Sequence, residues 1–220
     1  MRVLVVAAHP DDEILGVGGT VAAHVAKGDT VQLAIMCGGG SVRYLPEGSP
    51  VIRKEAEQAA EILDVAELVL RDLPDQRLDT LPISQVAGEI ETLVRSFRPD
   101  TIYSHFCGDI NRDHRVLAEA VMVAARPYAA PFVQEILMYE TPSSTEWGLP
   151  QLSSSFQPNV YVDITKFLDT KLQAFSCYSA EICAEPHPRS LLALRARAHY
   201  WGSLVNRQAA EPFVSVRLLR

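Results

Sequence analysis

Two short segments of the chain concentrate the residues that could do chemistry. His9, Asp11, Asp12 and Glu13 follow one apolar run, and His105, Asp109, Asn111, Asp113 and His114 follow another much later. His9, Asp12 and His114 offer two imidazoles and a carboxylate. That is the donor set of a catalytic zinc, with three protein ligands and an open position for an acidified water. Asp11 sits beside the set without being needed in it, so it can take the water's proton. Taken alone, the first segment reads more simply as an acidic helix start, where carboxylates meet free N–H groups and the helix dipole. His114, lying after a different strand, tips the balance toward a metal site. By itself His114 is also a plain helix-start histidine with Asp113 as the cap. Asp113 can equally accept a ligand's ring N–H and fix its tautomer, and the two roles are compatible. The same donors suit a non-haem Fe(II) oxygenase, but such sites commonly use His-x-Asp on a β-barrel, whereas here the spacing is His-x-x-Asp. Hydrolysis is favoured over oxidation.

This chemistry requires the two segments to meet, and the elements around them say how. Val3–Ala8 reads as a buried strand that runs through His9-Pro10 into a helix from Glu13 to Lys27, closed by Gly28. Strands at Val31–Met36, Leu68–Leu70 and Thr101–Ser104 alternate with helices at Val51–Leu63, Ile83–Phe97 and Arg115–Ala125. Four β/α repeats imply right-handed crossovers, a largely parallel sheet and helices on both faces. Ligands in such sheets bind at the carboxyl ends of strands where the strand order reverses. If strands one and four flank that point, His9, Asp12 and His114 converge. Further strands are expected at Glu135–Tyr139, Val160–Val162 and Phe213–Val216, with a helix from Lys166 to Cys177 capped by Asp163-Ile-Thr165. A last helix is striped by Leu191, Leu194, Ala198, Trp201 and Val205. No linker, repeat or low-complexity tract breaks the 220 residues, so one domain spanning 1–220 is expected.

Composition narrows the function classes. Charged residues are 21% and hydrophobic residues 48%, which suits a packed globular chain and excludes disorder. The formal net charge of −7 leaves no global positive field for a phosphate backbone, so no nucleic-acid partner is expected. Four cysteines without CxxC spacing point to a reduced compartment. No run reaches the ~18 apolar residues of a membrane span, and Met1–Ala8 is too short for a secretory signal, so the expected location is cytoplasmic. The charge is uneven. Residues 1–110 carry 9 Lys and Arg against 17 Asp and Glu, a net of −8, while six arginines from Arg189 onward face only Glu211. The basic tail is thus a candidate wall for the substrate, or a set of surface ion pairs worth little each.

Ala8-His-Pro-Asp-Asp-Glu13, followed by Gly16, Gly18 and Gly19, and Asp113-His114-Arg115 after the fourth strand resemble the PIG-L (LmbE-like) family of metal-dependent N-acetylglucosamine-type deacetylases. The likeness runs nearly end to end, with Ser143-Ser-Thr-Glu-Trp147, Pro186-His-Pro-Arg-Ser190 and Ala210-Glu-Pro-Phe213 as supporting segments. It implies a Rossmann-like α/β/α sandwich with a mostly parallel sheet. It implies zinc, or another divalent metal such as Fe2+, held by His9, Asp12 and His114, with Asp11 as general base. The implied reaction is removal of an N-acetyl group from an amino sugar or GlcNAc-containing glycoconjugate, by attack of zinc-bound water on the amide. Members of the family are often oligomers, so a homo-oligomer is a further expectation.

The chain departs from a common form of the family in one place. Many members read His-x-Asp-His, and this one reads Asn111-Arg-Asp-His114. Asn111 can donate to an oxyanion but cannot be a general acid. The acid is then Asp11 acting twice, or His187 reaching in from the C-terminal segment. Arg43, Asp109, Asp113 and Arg189 are expected around the metal ligands or the substrate, and Trp147 as a face for a sugar or an anchor for its own loop. Asn111 also leaves open a metal- or sugar-binding homologue without catalysis.

Overall fold

The computed structural model describes residues 1–38, 50–149 and 154–220. Strand β1 (Arg2–Ala7) leads into helix α1 (Asp12–Ala26), followed by β2 (Thr30–Ile35), α2 (Pro50–Ile62), β3 (Glu67–Leu70), α3 (Ile83–Phe97), β4 (Thr101–His105), α4 (Arg112–Ala124) and β5 (Glu135–Tyr139). The chain then forms β6 (Val160–Asp163), α5 (Leu168–Phe175), α6 (Leu191–Leu204) and β7 (Ala210–Leu218). The seven strands make one sheet in the order β3-β2-β1-β4-β5-β7-β6. Neighbours among the first five strands are parallel, whereas β7 runs antiparallel to both β5 and β6. This is a Rossmann-like α/β fold, as expected. The strand order reverses between β1 and β4, which pair through Val3↔Thr101 and Val5↔Tyr103, so the ends of these two strands are where a ligand site belongs.

The alternation of β1 shows how both faces are covered. Val3, Val5 and Ala7 pack into one apolar cluster with residues of α1, α2, α5 and α6, while Leu4, Val6 and Ala8 pack into another with α3 and α4. A strand buried on both faces is apolar at every position, and Val3 to Ala8 are. Helix α1 lies tight against the sheet because Gly16 has no side chain. A Cβ there would come within 2.2 Å of the Tyr139 ring, and Tyr139 is itself pinned by its hydroxyl, which donates to the Val6 carbonyl at 2.9 Å. That close approach sets where the first turn of α1, and with it Asp12, can lie.

Some details of the helices differ from expectation for local reasons. Helix α4 begins at Arg112, three residues early, because the Asn111 side chain caps it by accepting from the Asp113 N–H at 2.9 Å. Asn111, rather than Asp113, is therefore the cap. Helix α5 is shorter than its apolar pattern. Asp163 closes a turn onto the Thr165 N–H at the end of β6, and the helix starts after Phe167 without a side-chain cap. In α6, capped by Ser190, Leu194 and Ala198 face the core but Leu191 is exposed.

Candidate active site

The turn after β1 is strained and folded back on itself. Asp11 holds φ 109°, ψ −33°, outside the regions that side-chain-bearing residues favour, at a cost of about 1–3 kcal/mol. None of the three acids caps α1 in the ordinary way. The Asp12 carboxylate accepts the His9 N–H at 2.9 Å, Glu13 accepts the Asp11 N–H at 3.0 Å, and Asp11 makes no capping bond. Glu13 also receives the Tyr178 hydroxyl, and burial pushes its carboxyl up to about 7 against that bond. Asp11 and Asp12 are turned toward the site, and Glu13 is turned to Tyr178.

The α4 side of the site comes up to meet them. His9 Nδ1 lies 3.1 Å from Asp12 Oδ2, His114 Nε2 lies 3.2 Å from the same oxygen, and the two ring nitrogens are 3.4 Å apart. A tetrahedral zinc with bonds of roughly 2.0–2.1 Å spaces its ligands about 3.3–3.4 Å apart. The three donor atoms thus form a triangle of the size that such an ion needs, and the donor set of two imidazoles and one carboxylate fits it. A second possible donor grouping, His9 with Cys37 and Asp113, shares His9 with the first.

Each member of the triangle is held from behind. His9 turns its other nitrogen, Nε2, to Asp113 Oδ2 at 3.0 Å, and Asp113 Oδ1 accepts the Leu78 N–H. Asp113 is the partner of His9, not of its sequence neighbour His114. His114 Nδ1 faces Asp109 Oδ2 at 3.2 Å, an ion-pair distance without hydrogen-bond alignment. His105 stacks flat on His114, with centroids 3.8 Å apart. Its Nε2 accepts the Ala8 N–H, which can only donate, so this ring is neutral and carries its proton on Nδ1, toward Thr141. Burial, with His114 close by, drives the His105 pKa well below its ordinary value. The other rings behave oppositely. Burial works against the charge on His9, but Asp113 and Asp12 outweigh it and push its pKa up to about 10. Burial likewise works against the charge on Asp12, yet His114, with a hydrogen bond from His9, holds its carboxyl well below the carboxylate range. The pocket favours positive charge.

A family model described as PIG-L, GlcNAc-PI de-N-acetylase, matches residues 4–125, which include every member of this triangle. The chain belongs to the PIG-L family. It is 27% identical over 164 residues to a deacetylase of Escherichia coli strain K12, YaiS, covering 72% of this chain and 84% of that one. It is also 27% identical over 193 residues to a probable N-acetyl-alpha-D-glucosaminyl L-malate deacetylase 2 of Bacillus cereus, covering 82% and 83%. Among solved structures, the conserved protein TT1542 of Thermus thermophilus superposes with a TM-score of 0.81 at 25% identity, over 99% of this chain and 96% of that one. A PIG-L deacetylase fold therefore carries the site.

In this PIG-L chain the C-terminal segment closes the site from the far side. Arg189 Nη1 donates to Asp11 Oδ2 at 2.9 Å and to Glu181 Oε2 at 2.5 Å, and its Nε donates to Ser143 Oγ at 2.7 Å. Burial pushes the Asp11 carboxyl well above its ordinary pKa, and Arg189 offsets this only in part. His187 Nδ1 accepts the Arg189 N–H at 3.1 Å, leaving the proton on Nε2. A cavity of about 490 Å³ is lined by His9, Asp11, His114, Asn111, His187 and Arg189, among others, and Trp147, 53% exposed, stands on its wall.

Of the six arginines of the tail, Arg189 alone is among the residues lining this cavity. Arg195 pairs with Asp169, Arg197 with Glu140 and Arg207 with Asp163; Arg189 is already engaged by two carboxylates. Arg43 lies outside the described residues. Glu181 and Tyr178 escaped sequence reasoning, because nothing in their spacing distinguishes them from surface polar residues, and Ser143–Thr145 entered it only as part of a segment shared with the family, without a role. Among the described residues no helix is long and apolar enough to cross a membrane.

Proposed function

We propose that this protein is a zinc-dependent N-deacetylase that removes an acetyl group from an amino sugar or a GlcNAc-containing glycoconjugate. The observation that carries the proposal is the triangle of His9 Nδ1, Asp12 Oδ2 and His114 Nε2, with the strained Asp11 beside it. The named activity of the Bacillus cereus relative, deacetylation of an N-acetylglucosaminyl conjugate, supports the choice of substrate class.

His9, Asp12 and His114 would hold the metal, with Asp113 fixing the tautomer that leaves His9 Nδ1 free to ligate. Zinc bound there supplies a Lewis acid for the amide carbonyl and acidifies a water toward a pKa of about 7. Asp11 accepts the proton of the attacking water. Its raised pKa suits a group that must take a proton and give it back, and Arg189 holds it in place. Asn111 uses its side-chain oxygen for the α4 cap, so its NH2 remains to donate to the developing oxyanion. Asp11, having taken the water's proton, gives it to the amine as it leaves, while the neutral His187, with its proton on Nε2, is placed on the same cavity wall to donate a hydrogen bond to the substrate.

The test is a panel of N-acetylated sugars and glycoconjugates scored for free amine with zinc-loaded protein. Release of amine and acetate that a chelator abolishes and zinc restores is the expected result. Stoichiometric zinc with no release from any of them would leave a binding protein, and oxygen consumption with iron but not zinc would leave an Fe(II)-dependent oxygenase.

A further inference from the structure

Three consecutive hydroxyl residues, Ser143, Ser144 and Thr145, sit in the turn after β5 and point in two directions. The Ser144 hydroxyl donates to Asp109 Oδ1, and the Thr145 hydroxyl donates to Asp109 Oδ2 at 2.6 Å. Asp109 also accepts the Asn111 N–H at 2.8 Å and lies against His114 Nδ1. All three of Asp109, Ser144 and Thr145 are buried. Ser143, at φ 69°, faces the other way, and its oxygen receives Arg189 Nε, the guanidinium that grips Asp11.

The tripeptide is itself clamped. Glu146 accepts the N–H groups of both Ser143 and Ser144, at 2.9 and 3.1 Å, and receives Arg197 Nη1 at 3.3 Å. Arg197 is anchored by a two-bond fork onto Glu140, each bond 2.7 Å, and Glu140 also receives the Trp201 indole N–H. Helix α6 therefore fixes the turn, and the turn fixes two separate parts of the site.

A carboxylate beside a ring nitrogen can rotate about its own χ2 and take the imidazole with it. Two hydroxyl donors, one on each oxygen, together with a backbone N–H, remove that freedom from Asp109. We propose that Ser144 and Thr145 are positioning residues for His114, acting through Asp109, and that Ser143 positions Asp11 through Arg189. The inference rests on the metal-site reading above. It assigns metal affinity to one arm of the turn and turnover to the other.

The two arms are separable by experiment. Zinc affinity is read by competition with a chromophoric chelator, turnover by amine release, and folding by thermal melts. Ser144→Ala with Thr145→Val weakens zinc binding by about 10–100-fold, while Thr145→Ser, which keeps the hydroxyl, binds as the parent does. If the double variant is poorly folded, Ser144→Ala alone gives a several-fold weakening. Ser143→Ala leaves zinc affinity unchanged and lowers kcat about tenfold with KM unchanged. Parental zinc affinity in a folded Ser144→Ala, Thr145→Val protein overturns the first arm, and parental kcat in Ser143→Ala overturns the second. A parent that takes up no zinc overturns the metal-site reading itself, and the first arm with it.

Discussion

Two clusters of buried charge rest on the same helix and are built on opposite plans. Midway along α1, Lys171 and Glu211 meet at 2.5 Å; the lysine also donates to the Leu15 carbonyl, and the glutamate accepts the N–H groups of Gly19 and Thr20. Each charge there faces an opposite charge or a backbone partner, and the pair ties α5 and β7 to α1. At the start of the same helix, His9, Asp12 and His114 aim three acceptor atoms at one another, and charges of one sign accumulate around them in Asp11, Asp75, Asp109 and Asp113. A closed cluster is architecture, because nothing more can bind to it. An open one, whose lone pairs converge, has a place for a cation.

The largest effect expected from breaking this contrast is on turnover. Asp11→Ala lowers amine release by roughly 10²–10⁴-fold with zinc stoichiometry unchanged, which amine assays and metal analysis check together. Asp11→Gly is as inactive but more stable than Asp11→Ala, by on the order of 1 kcal/mol in urea melts. Both lose the carboxylate, and only glycine relaxes at φ 109°. Retained turnover in either variant would move the base elsewhere.

On the closed side, Lys171→Met leaves Glu211 buried without its cation and costs about 3–5 kcal/mol in a urea melt, while zinc stoichiometry holds. Lys171→Met combined with Glu211→Gln recovers part of that loss. A smaller stabilisation belongs to the open cluster. Zinc at a hundredfold excess over its dissociation constant raises stability by about 2.7 kcal/mol, and the gain disappears in His9→Ala but persists in Lys171→Met. Equal zinc responses in His9→Ala and the parent would erase the distinction between the two clusters.

The contrast also separates what the sequence discloses from what it hides. The β/α alternation follows from apolar runs and turn residues that are local, so β1 and β4 were readable, and the convergence of His9, Asp12 and His114 followed on the condition that those two strands are neighbours, which they are; the place of β7, antiparallel between β5 and β6, was not readable. The roles of neighbours were not. Asp113 stands next to His114 in sequence yet serves His9, because the helical turn carries its side chain toward the β1 loop. The grip of Arg189 on Asp11 spans 178 residues, and the Lys171–Glu211 pair is sealed by strands added to the sheet after its parallel half. Long-range pairs of charged side chains leave no periodicity behind, and the abundance of arginine in the tail suggested a substrate wall where the fold has mostly ion pairs.

Asn111 belongs to both plans at once, which makes it the finest test of the contrast. Its side-chain oxygen does closed, structural work as the α4 cap, and its NH2 is the part assigned to the oxyanion. Asn111→Asp keeps an oxygen for the Asp113 N–H, at a helix start where negative charge is favourable, and removes the donor. Asn111→Ala removes both. The alanine variant loses about 1 kcal/mol in a urea melt and the aspartate variant keeps its stability. Amine release falls by about tenfold or more in each. If Asn111→Asp turns over as the parent does, the NH2 takes no part in the reaction, and Asn111 is a cap whose only service to the site is to start α4 early enough to aim His114.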